Sequence, residues 1–173
     1  KVFKPDRLPM ETCRKCFNEI KDYGGYKNKM NKEGINISDV WTDIPPVRHK
    51  SHKRREANEL SVKLLDRIIE MASVEGDIVF DPFGGSGTTY SVAEIKMRNW
   101  IGVELGPVDE IVDRLNNIDQ DSELLNRYRT NLNVLFPDTV KKKRKERGIW
   151  TDDTFKEDSD QKNEVIKQVS LDL

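Results

Sequence analysis

Asp81-Pro82-Phe83-Gly84-Gly85-Ser86-Gly87-Thr88-Thr89 is the stretch on which the fold turns. Three glycines and an Asp-Pro pair within nine residues exceed what a plain turn requires. Immediately before it, Ile78-Val79-Phe80 is a short apolar run with two β-branched residues, which predicts a buried strand ending at Asp81. After it, a helix is predicted over about 88–97, carrying Val92, Ala93 and Ile95. Trp100 to Leu105 reads as the next strand, and Gly106-Pro107 ends it. Strand, glycine-rich loop, helix, strand is a βαβ unit, and such a unit implies a parallel sheet with a right-handed crossover.

Outward from this unit the pattern changes twice. Upstream, Leu60, Leu64, Leu65, Ile68, Ile69 and Ala72 form a one-sided apolar stripe, which predicts a helix over 58–73 stopped by Gly76. Downstream, Ile111, Val112 and Leu115, then Leu124, Leu125, Tyr128 and Leu132, predict helical segments to about 135. Residues 1–42 are polar, without a sustained hydrophobic period, and are expected to be irregular. From Pro137 onward too little apolar area remains to offset chain entropy, so 137–173 is expected to be a charged tail, disordered or peripherally attached. The expected core therefore lies in 58–136, within an α/β half-domain of 43–136.

Composition fits that division. The 173 residues are 35% charged and 35% hydrophobic, against roughly 25% and ~45–50% in an ordinary globular chain, so part of the sequence packs a core and part does not. Net charge is −1, so binding to a polyanion has to come from local patches. No apolar run reaches the ~18 residues of a membrane-spanning helix. Two cysteines, Cys13 and Cys16, argue against a disulfide framework and suit a reducing cytoplasm. The first residue is Lys1 rather than Met, from which a piece of a longer chain is expected.

The loop's chemistry is legible in part. Glycines let backbone approach a ligand closely, and the following helix offers unsatisfied N–H groups that Ser86, Thr88 or Thr89 can cap. A nucleotide P-loop fails, because Thr88 and Thr89 stand where Lys-Ser/Thr is required. A dinucleotide fingerprint matches weakly, because Tyr90 takes the place of its last glycine. Glu104, 23 residues after Asp81 and near the end of the second strand, is placed to accept ribose hydroxyls.

At these residues the sequence resembles the DNA amino-methyltransferases, which methylate adenine N6 or cytosine N4. Asp81 to Thr89 looks like the family's S-adenosylmethionine loop. Arg54-Arg55-Glu56-Ala57-Asn58-Glu59-Leu60 looks like the segment that closes over the methionine end of the cofactor, and Trp100 to Leu105 like the second cofactor strand. The resemblance covers 41–106 well and 1–40 loosely, as a remnant of a DNA-recognition region. It implies an α/β, Rossmann-like parallel sheet forming part of a methyltransferase domain, with S-adenosylmethionine as cofactor. By position, backbone at Phe83, Gly85 and Gly87 would pass near the cofactor, with Pro82, Gly84 and Ser86 in the same loop. Asp81 would organise the loop and face the methionine amino group. Thr88 and Asn58 would lie near the carboxylate, Glu104 would hold the ribose, and the adenine would stack near Leu105 and Pro107.

The family's catalytic tetrapeptide, Asp, Asn or Ser followed by Pro-Pro and an aromatic, is absent from this sequence. In Asp43-Ile44-Pro45-Pro46, Ile44 separates the carboxylate from the prolines and Val47 cannot stack, so 43–46 is read as an extended connector. The catalytic segment is then expected on a missing N-terminal half or on a partner subunit; a non-catalytic nucleoside- or DNA-binding subunit is the alternative. A half-sheet with a raw edge also makes self-association an expectation.

Arg48, Lys50, Lys53 and Arg54 form a basic cluster suited to DNA phosphates. Cys13-x-x-Cys16 and His49-x-x-His52 have the pair spacings of zinc ligands, but the gap between the pairs is long, so no metal is assigned. Lys141 to Arg147 and Tyr23-Gly24-Gly25-Tyr26 read as a solvated tail and a local turn.

Overall fold

The computed structural model describes residues 2–45 and 59–154. The chain divides into two compact units, one of Lys1–Arg7 with Asn36–Leu132 and one of Leu8–Ile35 with Asn133–Leu173. Two short strands, β1 (Arg7–Leu8) and β2 (Ile35–Asn36), pair with each other. Among the described residues, 8–35 group with 133–154 rather than with 2–7, whereas the sequence predicts boundaries at 42 and 136.

The first unit is α/β. Its elements are α1 (Val62–Ala72), β3 (Ile78–Asp81), α2 (Thr88–Ile95), β4 (Asn99–Gly102), α3 (Asp109–Asn116) and α4 (Ile118–Arg129). The strands β3 and β4 are parallel, with Ile78 opposite Asn99 and Asp81 opposite Gly102. The predicted βαβ order is therefore the observed one. Val62, Leu65 and Ile69 of α1 pack with Val92 and Ala93 of α2 and Leu125 of α4, against Val79 and Trp100 of the strands.

The expectation of a buried strand needs correction. Val79 is half-buried, but Ile78 and Phe80 are 65% and 62% exposed, and Ile101 is 55% exposed. Strand side chains alternate between faces. Helices cover one face, and among the described residues the other is bare. The second strand also ends earlier than expected, at Gly102. Val103 N–H still reaches the Asp81 carbonyl (3.1 Å), and then Gly84 N–H takes the Val103 carbonyl (2.8 Å), so the loop continues the ladder.

In α1 the buried stripe also differs from the one expected. Leu60, which lies just before α1, and Ile68 are exposed, while Asp66 and Arg67 are fully buried. Both charges are paired. Asp66 Oδ2 accepts from Arg129 Nη2 (2.6 Å), and Lys96 Nζ lies 2.8 Å from Oδ1. Arg67 donates to both oxygens of Asp43 and to the Tyr128 hydroxyl, and lies over the Trp41 ring. Charges with such partners can be buried; apolar periodicity does not detect them.

The second unit corrects the reading of 137–173 as a tail, up to residue 154. Asp138–Glu146 is a helix, α5, and Met10, Leu135 and Phe136 form a core with Val140 and Trp150 packed on it. Fully buried Arg144 acts as a core residue. It donates to the carbonyls of Trp150 (2.9 Å) and Phe17 (2.5 Å) and to Glu19 (3.2 Å), and its guanidinium lies against the rings of Phe136 and Trp150. A guanidinium with its donors engaged and its faces covered by aromatics is not the solvated charge that a composition count assumes. Tyr23-Gly24-Gly25-Tyr26 leads into a 3-10 helix over Gly24–Lys29.

Candidate functional site

Most residues of the glycine-rich loop are tethered. Asp81, the last residue of β3, accepts Phe83 N–H on Oδ1 (2.9 Å) and the Thr89 hydroxyl on Oδ2 (2.5 Å). Gly84 N–H is held by Val103, and Glu104 Oε2 accepts Gly85 N–H (2.5 Å). Ser86 offers its carbonyl and hydroxyl to Arg114 Nη1 at 3.3 and 3.2 Å. Gly87 N–H returns to the Gly84 carbonyl (2.8 Å). Glu104 Oε1 also accepts Gly106 N–H (2.8 Å), so one carboxylate joins the loops that leave the two parallel strands.

Two glycines are required by what lies beneath them. Tyr90 is 2% exposed, stacks on Trp100 at 4.6 Å, and donates its hydroxyl to the Asp81 carbonyl (3.2 Å). A side chain at Gly84 or Gly102 would run into its phenol. Burial raises the Tyr90 phenol's pKa, with the Asp81 and Glu104 charges adding to it. It stays a neutral hydrogen-bond donor.

The expected cap on α2 is corrected. The N-cap is Gly87 itself, left-handed at φ 75°, with no side-chain hydrogen bond. The Thr89 hydroxyl goes to Asp81, while those of Ser86 and Thr88 bond each other at 3.2 Å, buried. Thr88 thus faces the interior.

Loop N–H groups at Phe83, Gly84, Gly85 and Gly87 all have acceptors within the chain, and two of those acceptors are carboxylates. A phosphate cradle needs such groups unengaged and aimed outward. This loop offers an acidic, rigid rim instead. Around it stand exposed apolar side chains: Phe83 (84%), Leu105 (99%) and Val103 (47%). An acidic rim beside bare apolar surface matches a cationic nucleoside better than a pyrophosphate.

The structure thus brings Asp81, Pro82, Phe83, Gly84, Gly85, Ser86, Gly87, Glu104 and Leu105 to one end of the parallel pair. Asn58, Arg48, Lys50, Lys53 and Arg54, with His49 and His52, lie outside the described residues. Asp43 spends both carboxylate oxygens on Arg67, as an anchored connector would. Periodicity placed Ile111 on a helix but gave Tyr90, Arg114 and Glu59 no role at the loop; Gly102, a glycine within a strand, carried a sign of close approach.

Within the second unit, Cys13 and Cys16 lie on a hairpin. Cys13 N–H donates to Asn18 O (2.8 Å), Phe17 N–H returns to Cys13 O (2.9 Å), and Phe17 is left-handed at φ 62°. N–H groups of Cys16 and Lys15, with the Cys16 side chain, lower the Cys13 thiol's pKa to about 7. Among the described residues no group of three or more His, Cys, Asp or Glu side chains could hold a metal ion.

Comparison with known proteins identifies the family. A family model described as DNA methylase matches residues 1–113. Type II methyltransferase M.BamHI of Bacillus amyloliquefaciens is 55% identical over 179 aligned residues, covering all of this chain and 42% of that protein. Type II methyltransferase M.MthZI of Methanothermobacter thermautotrophicus is 46% identical over 40% of this chain and 20% of that protein. A solved complex of M1.HpyAVI with SAM aligns with 65% of this chain and 44% of that one, at 23% identity and a TM-score of 0.30, too slight a likeness to bear on the reading. The chain spans less than half the length of the relatives named. It belongs to the DNA methylase family.

Proposed function

We propose that this member of the DNA methylase family is the cofactor-binding portion of a DNA amino-methyltransferase, with S-adenosylmethionine held at the loop over 81–87 and an exocyclic amine of adenine (N6) or cytosine (N4) as methyl acceptor. The observation that carries the reading is the pairing of Gly85 N–H with Glu104 Oε2 at 2.5 Å. It fixes a carboxylate at the mouth of a loop whose N–H groups are already engaged. The residues fit the group. Glu104 sets a carboxylate at the end of the second strand, where ribose hydroxyls would reach it, Asp81 sets a negative potential for an ammonium or sulfonium, and Phe83 and Leu105 offer apolar surface to a purine. Bound there, S-adenosylmethionine would supply an electrophilic methyl group on its sulfonium. This chain's part is binding and orientation: the tethered loop keeps its shape before the ligand arrives, which lowers the ordering cost of binding.

The catalytic side chain comes from sequence outside this chain, in the same polypeptide or on a partner, because no Asp/Asn/Ser-Pro-Pro-aromatic segment occurs here. The bare sheet face of Ile78, Phe80 and Ile101 is where that portion, or a second copy, would pack. DNA phosphates are assigned to the basic cluster at Arg48, Lys50, Lys53 and Arg54, and the working compartment to the cytoplasm. No helix among the described residues is long and apolar enough to cross a membrane.

Calorimetric titration of the chain with S-adenosylhomocysteine and, separately, NADH tests the reading. Saturable binding of the first and none of the second is expected. Binding of NADH alone would overturn it.

A further inference from the structure

Arg114 on α3 is 3% exposed, and the apolar pattern of the sequence gives no hint of it. Its Nε donates to Asp121 Oδ2 (2.8 Å), and its Nη1 to Glu59 Oε1 (2.8 Å) and to the carbonyl and hydroxyl of Ser86. Asp121 is fixed in turn by the Ser91 hydroxyl of α2 (2.8 Å). One turn earlier on the same face of α3, Ile111 lies so close to Gly87 that a Cβ there would sit 3.1 Å from its Cγ2. Two successive loop residues are therefore set by two residues of one helix face, and the polar one carries a buried charge.

Three facts separate this arrangement from a framework ion pair. The guanidinium spans four chain segments: the residues before α1, the loop, α3 and α4. Its contacts with the loop include the Ser86 backbone carbonyl beside the hydroxyl, so it fixes main chain. The Ser86 carbonyl it holds lies between Gly85, tied to Glu104, and Gly87, the left-handed cap of α2. A guanidinium presents several N–H groups in a rigid plane, and so can satisfy Glu59, Asp121 and Ser86 together; a lysine ammonium at the same place has one centre and cannot reach all of them.

We infer that Arg114 is a positioning residue for the cofactor loop: by joining Glu59 and Asp121 to the Ser86 main chain, it holds residues 84–88 in the shape that receives the nucleoside cofactor. The inference rests on the cofactor reading above. It adds a residue that touches no ligand and that sets the loop's geometry from beneath.

The test uses Arg114→Lys and Arg114→Gln, with Ile69→Ala as a control that weakens the α1 core without touching the loop. Amide hydrogen exchange over 84–89 and the dissociation constant for S-adenosylhomocysteine are measured at a temperature where each variant is folded. Arg114→Gln is expected to speed exchange over 84–89 about tenfold relative to Ile69→Ala at matched loss of Tm, and to weaken the ligand about tenfold. Arg114→Lys keeps most of the Tm yet leaves the loop amides fast and the ligand weakened, a split that a purely structural role would not produce. Should Arg114→Gln not fold, Arg114→Lys decides alone. Loop exchange and affinity no worse than in Ile69→Ala would overturn the inference. If the unmodified chain binds no S-adenosylhomocysteine, the cofactor reading falls, and loop exchange still decides what Arg114 does.

Discussion

Two buried ion clusters of the first unit use the same chemistry for different ends. Around Asp66, Arg129 and Lys96 meet one carboxylate, and Arg129 continues to Asp6 (3.1 Å), so the cluster joins α1, α4, the turn after α2 and the N-terminal segment. Around Arg114, one guanidinium meets two carboxylates and then reaches the Ser86 main chain. The first ends on framework at every side and the second ends on a loop. Burial of charge alone therefore does not tell a scaffold from a site; where the last hydrogen bond falls does.

The largest expected effect breaks the framework cluster. Asp66→Ala removes a buried carboxylate shared by two cations, leaving Arg129 to Asp6 and Lys96 to Glu70, and should cost about 3–5 kcal/mol in chemical denaturation, with affinity of the folded fraction for S-adenosylhomocysteine unchanged. A loss below about 1 kcal/mol would mean the cluster relaxes into solvent. Next comes the floor of the site. Gly102→Ala drives a methyl into the Tyr90 phenol and should cost about 1–3 kcal/mol of stability, part of which Tyr90→Phe restores in the double variant, because the hydroxyl is one of the atoms in the way. If the double variant is no better than the single one, the clash lies elsewhere.

Glu104→Ala inverts the pattern, with little loss of Tm and about 1–3 kcal/mol of lost cofactor affinity by calorimetry. An unchanged dissociation constant would remove Glu104 from the site.

A smaller effect contrasts the second unit. Burial alone would raise the Glu19 carboxyl, but hydrogen bonds from Lys27, Trp150 and Arg144 bring it down to about 2. A depressed carboxyl contributes stability above its ordinary value of 4.5 and loses it as pH falls toward 2. Acid titration followed by Trp150 fluorescence should therefore show loosening in that window, and Glu19→Gln should abolish that step. A step that persists in the variant belongs to another carboxylate.

The βαβ order was readable because its signals are local: β-branched residues, clustered glycines, a Pro after each strand. The expectation that Asp81 organises the loop came instead from the family resemblance. Burial on the strands was not, since the covering of a sheet face depends on distant sequence, and Ile78 and Phe80 look the same whether covered or bare. Asp66, Arg67, Arg114 and Arg144 were illegible for a second reason. Charge in sequence reads as solvent exposure, and only the partners brought by the fold, such as Asp121 for Arg114 or Trp150 for Arg144, make burial tolerable. The fold of 133–154 with 8–35 was hidden because its core is assembled from segments more than a hundred residues apart.

The claim at the centre is that the tethered loop and Glu104 together receive a sulfonium nucleoside. A crystal structure of the chain with sinefungin tests it most directly. The account requires the ligand against residues 83–87, with its ribose hydroxyls on the Glu104 carboxylate and the loop tethers unchanged. A ligand bound away from that loop, or a loop that rebuilds itself so that N–H groups from Gly84 to Gly87 cradle an anion, would contradict it.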